Sequence, residues 1–284
     1  MATQLDIDLL RCFSLVAETA ALSRAAERIG RSQAAVSMQM KRLEEIVGQP
    51  LLYRTGRGVT LTVHGERLLA HARRILRSHD DALAELSGRS LSGTLRFGCP
   101  DDYADAFLPA LLRSFAALHP QVIIEVVCAS TPRLVRQLDR NVLDLALTSV
   151  PLTSPRPILR QEEIVWVGLR NDDGHRPEPL RLALGDPDTL DHRGAIAALE
   201  RTGRAYQLAY SSGSLSGLLA VVRSGQAIAV LTRSAVPSDL GILPPSWGLP
   251  DLPSIGMTVL MDEKRASPIT RAFDAHVRGL LPAL

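Results

Sequence analysis

Apolar residues recur along the first third of the chain at helical spacing. Leu5, Leu9, Phe13 and Val16 predict an amphipathic helix over 5–19, and Ala20-Ala21 breaks the pattern. Ser23, which has N-cap chemistry, precedes Arg24-Ala25-Ala26-Glu27-Arg28-Ile29, and Gly30 closes a short helix over 22–29. After a turn at Gly30-Arg31, Ser32 opens a helix over 33–47 with Val36, Met40, Leu43 and Val47 as its buried stripe. Small Ala25, Ala26, Ala34 and Ala35 would let these two helices pack closely. Two short strands, 51–54 and 59–61, flank the turn Thr55-Gly56-Arg57-Gly58. Thr62 then caps a long helix ending near Gly88.

The pattern over 22–61 is a helix-turn-helix followed by a hairpin, a winged arrangement. The outward face of its second helix carries Gln33, Ser37, Met38, Lys41 and Arg42. Gln can read adenine bidentately in a major groove, Ser can meet a base or a phosphate, and Lys and Arg reach phosphate or guanine. Arg54 and Arg57 sit where a wing would meet backbone phosphates or a minor groove. Charge supports this reading. Residues 24–57 hold seven basic against three acidic side chains, whereas the chain as a whole is only +2. The competing reading of the same face is a solvated helical surface.

On the long helix, Leu68, Ala72, Ile75, Leu76, Leu83 and Leu86 approximate a seam. A helix alone could not bury that stripe, so it packs either on the small domain or against its copy in a second chain, and pairing is the expectation. The small-residue stretch Ser87-Gly88-Arg89-Ser90-Leu91-Ser92-Gly93 is the expected hinge. Beyond it, strands at 94–98, 122–128 and 143–148 alternate with helices at 104–118 and 132–140, which implies a parallel sheet of buried strands. A second set follows: strands at 164–169, 180–184, 205–210 and 227–232, with helices at 189–202 and 214–224. The Pro/Gly-rich stretch 237–256 has no placement, and 265–284 reads as a strand end and a closing helix.

A 284-residue chain suggests about two domains, and 46% hydrophobic with 22% charged residues is ordinary for a globular protein. Apolar runs are short, with Glu125 interrupting 122–129, so no membrane span or membrane partner is expected. Asp6, Asp8, Arg11 and Glu18 leave no signal-peptide pattern, and cytoplasmic location is the expectation. Cys12, Cys99 and Cys128 form no CxxC pair, and Cys99 and Cys128 read as small hydrophobes rather than a redox pair. The seven histidines show no HExxH spacing, so no metal is expected. There is no Walker lysine, no GxGxxG after the first strand and no nucleophile elbow, since position 215 in Gly213-Ser214-Leu215-Ser216-Gly217 is Leu. No cofactor and no enzymatic activity are expected.

Residues 5–77 closely resemble the DNA-binding end of LysR-type transcriptional regulators. The resemblance lies in 32–45 (SQAAVSMQMKRLEE), then Leu51-Leu52-Tyr53-Arg54, Arg57, Leu61-Thr62 and Gly65 in order. Gly93-Thr94-Leu95-Arg96-Phe97-Gly98, Leu108-Pro109 and Leu143-Asp144-Leu145-Ala146 resemble the start of that family's effector domain. The resemblance implies an α/β protein with an N-terminal winged helix-turn-helix (1–61), a linker and dimerisation helix (62–88), and a two-lobed, periplasmic-binding-protein-like effector domain (92–284). Lobe I would take about 92–162 plus 266–284 and lobe II about 163–265. It also implies a homodimer through the linker helix that assembles to a homotetramer. In such regulators the Gln33 and Ser37 positions face bases, and Arg54 and Arg57 lie on the wing. Ala34 stands where many members have Pro. Met38 replaces a polar or basic residue, so contact there would be apolar, as to a thymine methyl.

Taken together, the expected DNA-binding residues are Ser23, Arg31, Ser32, Gln33, Ala34, Ser37, Met38, Lys41, Arg42, Arg54 and Arg57. Ligands of open α/β sheets bind beyond the carboxyl ends of strands. The effector-site candidates are therefore Cys99, Pro100, Asp101 and Tyr103 after the first strand, Ser130 and Thr131 after the second, Thr148 and Ser149 after the third, and Ser212 and Ser214 in the other lobe. Helix N-termini there favour an anion, while Asp101 and Asp102 oppose one unless they meet a cationic group, so a polar or zwitterionic small molecule is expected. The leading function is a transcriptional regulator that reads double-stranded DNA under control of that effector. The alternatives are an architectural repressor without effector control, and a solute-binding protein or enzyme. A ligand-dependent change in DNA binding separates the first two.

Overall fold

The computed structural model describes residues 5–55, 58–86, 91–170 and 178–284. Gly56, Arg57 and most of the expected hinge, 87–90, lie outside the described residues, as do the side chains of Arg54, Leu83 and Leu86. The chain divides into two units, Met1–Gly93 and Thr94–Leu284.

In the first unit, helix α1 (Ile7–Thr19) starts at Asp6, whose carboxylate accepts the Asp8 N–H at 2.7 Å. It ends at Ala20, a left-handed residue (φ 51°) whose carbonyl accepts the Val59 N–H. Helix α2 (Leu22–Ile29) spans the residues the sequence predicts, but its cap differs. Ala21 is its cap and supplies no side-chain bond, so Ser23 is an exposed first-turn residue rather than an N-cap. Gly30, at φ 70°, closes α2 in the left-handed conformation that costs glycine least. Ser32 caps α3 (Gln33–Val47) by accepting the Ala35 N–H at 3.2 Å. Ala25 and Ala26 are buried at the packing surface, but Ala34 is exposed and takes no part in it.

Strands β1 (Leu52–Thr55) and β2 (Gly58–Leu61) form the hairpin, with Leu52 opposite Leu61 and Thr55 opposite Gly58. One carboxylate oxygen of Glu44, on α3, accepts both the Leu51 and Leu52 N–H groups at 2.8 and 3.2 Å. The hairpin is thereby tied to α3. Thr62 starts α4 (Val63–Leu86) by accepting the Gly65 N–H at 3.0 Å and donating its hydroxyl to the Pro50 carbonyl. Leu68, Ala72 and Leu76 of α4 join Leu10, Phe13, Val36 and Met40 in one core, with Ile75 packed on its margin. That corrects the expected dimer seam: these three side chains are already buried within their own chain. Helical periodicity fixes which face is covered but not by what.

The second unit holds two five-stranded sheets. The first uses β3 (Gly93–Cys99), β4 (Val122–Cys128), β5 (Leu145–Pro151), β6 (Arg160–Glu162) and β12 (Ile255–Met261), in the order β4-β3-β5-β12-β6. The second uses β7 (Ile164–Leu169), β8 (Leu180–Leu184), β9 (Tyr206–Ser211), β10 (Ile228–Thr232) and β11 (Leu240–Ile242), in the order β11-β7-β10-β8-β9. Helices α5 (Asp101–Leu118), α6 (Thr131–Asp139), α7 (Leu190–Thr202), α8 (Leu215–Arg223) and α9 (Pro268–Leu280) connect or cover the strands. Tyr103, Phe107, Leu111 and Phe115 recur every four residues along α5 and are buried, and Phe273 of α9 meets Phe97 and Phe115 edge-on at 5.0 and 4.9 Å.

Three expectations change. Both sheets are mixed, since β12 runs antiparallel to β5 and β6, and β7 antiparallel to β10 and β11. The chain returns to the first lobe at Ile255 rather than 266, so the stretch without placement contains β11 and leads into β12. Strand β4 lies at a sheet edge with half its side chains exposed, Ile123 and Cys128 among them, and is not a buried central strand.

The hairpin and α4 meet so closely that a Cβ on Gly65 would lie 2.1 Å from the Leu51 carbonyl oxygen, while one on Gly279 of α9 meets nothing within 4 Å. Gly65→Ala is expected to destabilise the first unit by about 1–3 kcal/mol, as overpacking does. Gly279→Ala should stabilise the second by up to about 1 kcal/mol through helix propensity. Calorimetric melting of the two variants checks this, and an unshifted Gly65→Ala would contradict the close approach.

Candidate functional site

Two sites emerge, one in each unit. In the first, α3 buries Val36, Met40 and Leu43 and turns Gln33, Ala34, Met38, Lys41 and Arg42 outward. Met38 is 71% exposed. Ser37 is half-buried on the same helix, and Ser23 and Arg31 are exposed nearby in sequence. Lys41 approaches Glu45 only at 4.0 Å, an exposed pair of little strength. Ser32 spends its acceptor on the helix cap and keeps its hydroxyl proton. The backbone of Arg54 lies in β1, and Arg57 belongs to the turn outside the described residues.

In the second unit a cavity of about 280 Å³ opens where four helices start: α5, α6, α7 and α8 all contribute first-turn or capping residues to its wall. Each start leaves N–H groups without helical partners and a partial positive charge. Five carboxylates answer them, those of Asp101, Asp102, Asp186, Asp188 and Asp191, with Arg133 and Arg193 as the basic members of the wall. Asp102 accepts the Thr232 hydroxyl at 3.3 Å, and burial raises Asp101. One oxygen of Asp186 accepts the Asp188 N–H at 3.1 Å, the other the Ser130 hydroxyl at 2.9 Å, with Arg133 Nε 3.6 Å away.

Of the residues expected at this site, Pro100, Asp101, Ser130, Thr131, Ser149, Ser212 and Ser214 line the cavity. Cys99, Tyr103 and Thr148 do not. Cys99 is buried and its thiol faces the Pro100 carbonyl, Thr148 donates to the Thr258 carbonyl at 3.3 Å, and Tyr103 reaches only as far as a 2.8 Å bond to Ser149 Oγ. Strand residues alternate between faces, and Cys99 and Thr148 point into the core, while Tyr103 is buried on α5. Several hydroxyls serve the chain itself. Ser214 caps α8 through the Gly217 N–H, Ser212 Oγ bonds within the same loop, and Thr131 Oγ1 accepts the Ser149 N–H at 3.1 Å. The sequence reading missed 185–191 after β8, together with Arg133. The strand-end rule points to that loop equally once β8 is recognised.

Burial raises Cys99 well above its ordinary range and raises Cys128 too, the opposite of a poised thiolate. Burial, with Asp191 next, pushes Asp102 up to about 7. Asp186 is held low, first by the Asp188 N–H and then by Ser130 and Arg133. Among the described residues no helix is long and apolar enough to cross a membrane.

Comparison with known proteins bears on both sites. Residues 7–66 match the family described as bacterial regulatory helix-turn-helix protein, lysR family, and residues 88–281 match the LysR substrate binding domain. The HTH-type transcriptional regulator DgdR of Burkholderia cepacia is 56% identical over all of this chain and 97% of its own length. The regulator PecT of Dickeya dadantii is 31% identical over 97% of this chain and 87% of its own. Crystallised ArgP from Mycobacterium tuberculosis shares the fold at 21% identity, with TM-score 0.69 over 99% of both chains. A full-length OxyR variant from Pseudomonas aeruginosa does so at 20% identity, with TM-score 0.68 over 98% of this chain and 95% of that one.

The raised carboxyl of Asp102 has a consequence for stability. In the unfolded chain it titrates near 3.8, in the fold near 7. Between those values the native state must keep a proton that the unfolded state has lost, so its contribution is greatest at low pH and declines as pH rises through the window. Asp191, Asp101 and Thr232 face the group, and none is basic. Asp102→Asn removes the titration, so the melting temperature of the variant relative to the parent should climb between pH 5 and pH 8. A constant difference would place the carboxyl at its ordinary value.

Proposed function

Since this chain belongs to the LysR family of transcriptional regulators, which join a helix-turn-helix DNA-binding domain to an effector-binding domain, we propose that it reads a pseudo-palindromic DNA site with α3 and answers a small polar or zwitterionic effector held in the cleft of its second unit. Gln33 and Ser37 meet base edges, with Met38 set against a thymine methyl. Ser23, Arg31, Ser32 and Lys41 hold phosphates, Arg42 meets phosphate or guanine, Ala34 lets the helix start approach the duplex, and Arg54 and Arg57 engage backbone or minor groove from the wing. The observation that carries this reading is the outward face of α3, where a bare amide, a bare thioether and two cations project from a helix whose other face is core.

The remaining partners follow from the same reading. The chain works as a homodimer that assembles to a homotetramer, in the cytoplasm. Because Leu68, Ala72 and Leu76 are occupied within the chain, pairing along α4 falls to its other faces and to the region beyond Ile75. Pro100, Asp101, Ser130, Thr131, Ser149, Ser212 and Ser214 form the effector's surroundings, with Asp102, Arg133 and the 185–191 loop added. Effector binding moves one lobe against the other and so resets the spacing of paired dimers on DNA. An architectural repressor without effector control is the competing reading, and no observation in the cleft favours it.

Binding of the purified chain to DNA upstream of its own gene, across a salt series, tests the proposal. Gln33→Ala should lose about 1–3 kcal/mol on the preferred site and little on random DNA. Lys41→Ala should weaken both alike and make the log–log salt slope shallower by about one. Failure of the parent to select any sequence from a random-site pool, with and without metabolite extract, would overturn the reading.

A further inference from the structure

Two side-chain bonds cross from one lobe to the other at the cavity wall, and they differ in how their acid is neutralised. Asp186, after β8 in the second lobe, accepts the hydroxyl of Ser130, at the start of α6 in the first, at 2.9 Å. Arg133 of the first lobe stands 3.6 Å from the same carboxylate, so this crossing carries its own counter-charge. At the other, Asp102, in the first turn of α5, accepts the hydroxyl of Thr232, the last residue of β10, at 3.3 Å. Thr232 is buried and brings no charge. The turn Arg233–Ala235 that follows it packs against α5, so this crossing belongs to a contact between the lobes.

Among the described residues, the groups that face Asp102 are acidic or neutral. Its own helix brings Asp101, and α7 of the second lobe brings Asp191, which lines the same cavity. The Tyr103 phenol is bonded to Ser149, and the Cys99 thiol to the Pro100 carbonyl. The nearby cations are turned elsewhere: Arg233 to Glu163 at 2.6 Å, Arg133 to Asp186, and Arg193 to solvent. An ionised Asp102 therefore meets a like charge on its own lobe and another on the opposite lobe, in a wall of low dielectric. A protonated Asp102 keeps its bond to Thr232, because a hydroxyl both donates and accepts, and loses the repulsion. Burial and then Asp191 raise this carboxyl to about 7, so both forms are populated near neutral pH.

We propose that Asp102 is a proton-operated latch between the two lobes: with its proton it lets α5 and β10 close on each other, and without it the charge set against Asp191 drives them apart. The Ser130–Asp186 crossing carries its own counter-charge and does not answer this proton. The latch needs no small molecule, so it goes beyond the effector reading and stands whether or not that reading does. The proton itself becomes a signal that sets lobe position. Closed lobes hold the proton more tightly than open ones, in which Asp102 returns to water. By linkage, acid favours closure, and closure is lost as pH rises through the range of the latch.

The test is lobe position against pH in the full-length chain without ligand. It is read by energy transfer between dyes on Arg113→Cys of α5 and Arg201→Cys of α7, both exposed positions, with the exposed native thiol removed by Cys128→Ser. Unlabelled chain in excess confines the signal to one copy. From about pH 5.5 to about pH 8.5 the transfer should follow a one-proton curve centred at about 7. Asp102→Asn, which keeps an acceptor for Thr232 and cannot ionise, should hold the acid-side value throughout. Asp191→Asn should move the midpoint down by about half a pH unit or more. Asp139→Asn, at the exposed end of α6, is the control and should leave it in place. A parent signal that does not vary with pH, or the same titration in Asp102→Asn, would overturn the proposal. If Asp102→Asn does not fold, an unmoved midpoint in Asp191→Asn does so.

Discussion

Four helices of the second unit begin at one cavity, and the N–H groups at those ends govern what can occupy it. Helix starts grouped around a small space repel cations and call for negative charge. The chain supplies that charge itself, with five carboxylates in the wall. Two of these acids sit on donors: Asp102 accepts the Thr232 hydroxyl, and Asp186 accepts the Ser130 hydroxyl and the Asp188 N–H. The wall's hydroxyls are mostly engaged: Ser214, Ser212 and Thr131 shape loops, and Ser130 reaches from one lobe to a carboxylate of the other.

The DNA-facing unit obeys a different constraint. Its core is small and relies on close approach: Ala25 and Ala26 at the α2–α3 contact, Gly58 beneath the Ala20 carbonyl, and Gly65 against Leu51. Glu44 fastens the hairpin to α3 through two N–H groups. The hairpin and α3 are therefore held together as one piece.

Much of this was legible in the chain. Elements with one apolar face, such as α1, α3 and α5, announce themselves by period, and caps such as Ser32 and Thr62 fix where helices start. What sequence withheld was partnership. The stripe Leu68-Ala72-Leu76 is buried, as its period predicts, among α1 and its neighbours in the same unit. Strand β12 sits behind a Pro/Gly-rich stretch, and only its long-range pairing with β5, from Ile255 opposite Pro151 to Met261 opposite Leu145, shows that it belongs to the first lobe. At the cleft, strand ends located most of the wall. Two-residue alternation does not say which face of a strand is which, so Cys99 and Thr148 lie in the core, while Asp186 follows the end of β8 and lines the cavity.

The return of β12 carries one more consequence. The chain leaves the first lobe after Glu162 and re-enters it at Ile255, and these two residues are paired across an antiparallel ladder. The joint between the lobes is a ribbon of two hydrogen-bonded strands. A single covalent thread would let the lobes swivel in every direction, whereas a ribbon bends across its flat face and resists twisting or shear. A joint of this kind favours bending about one axis over free swivelling.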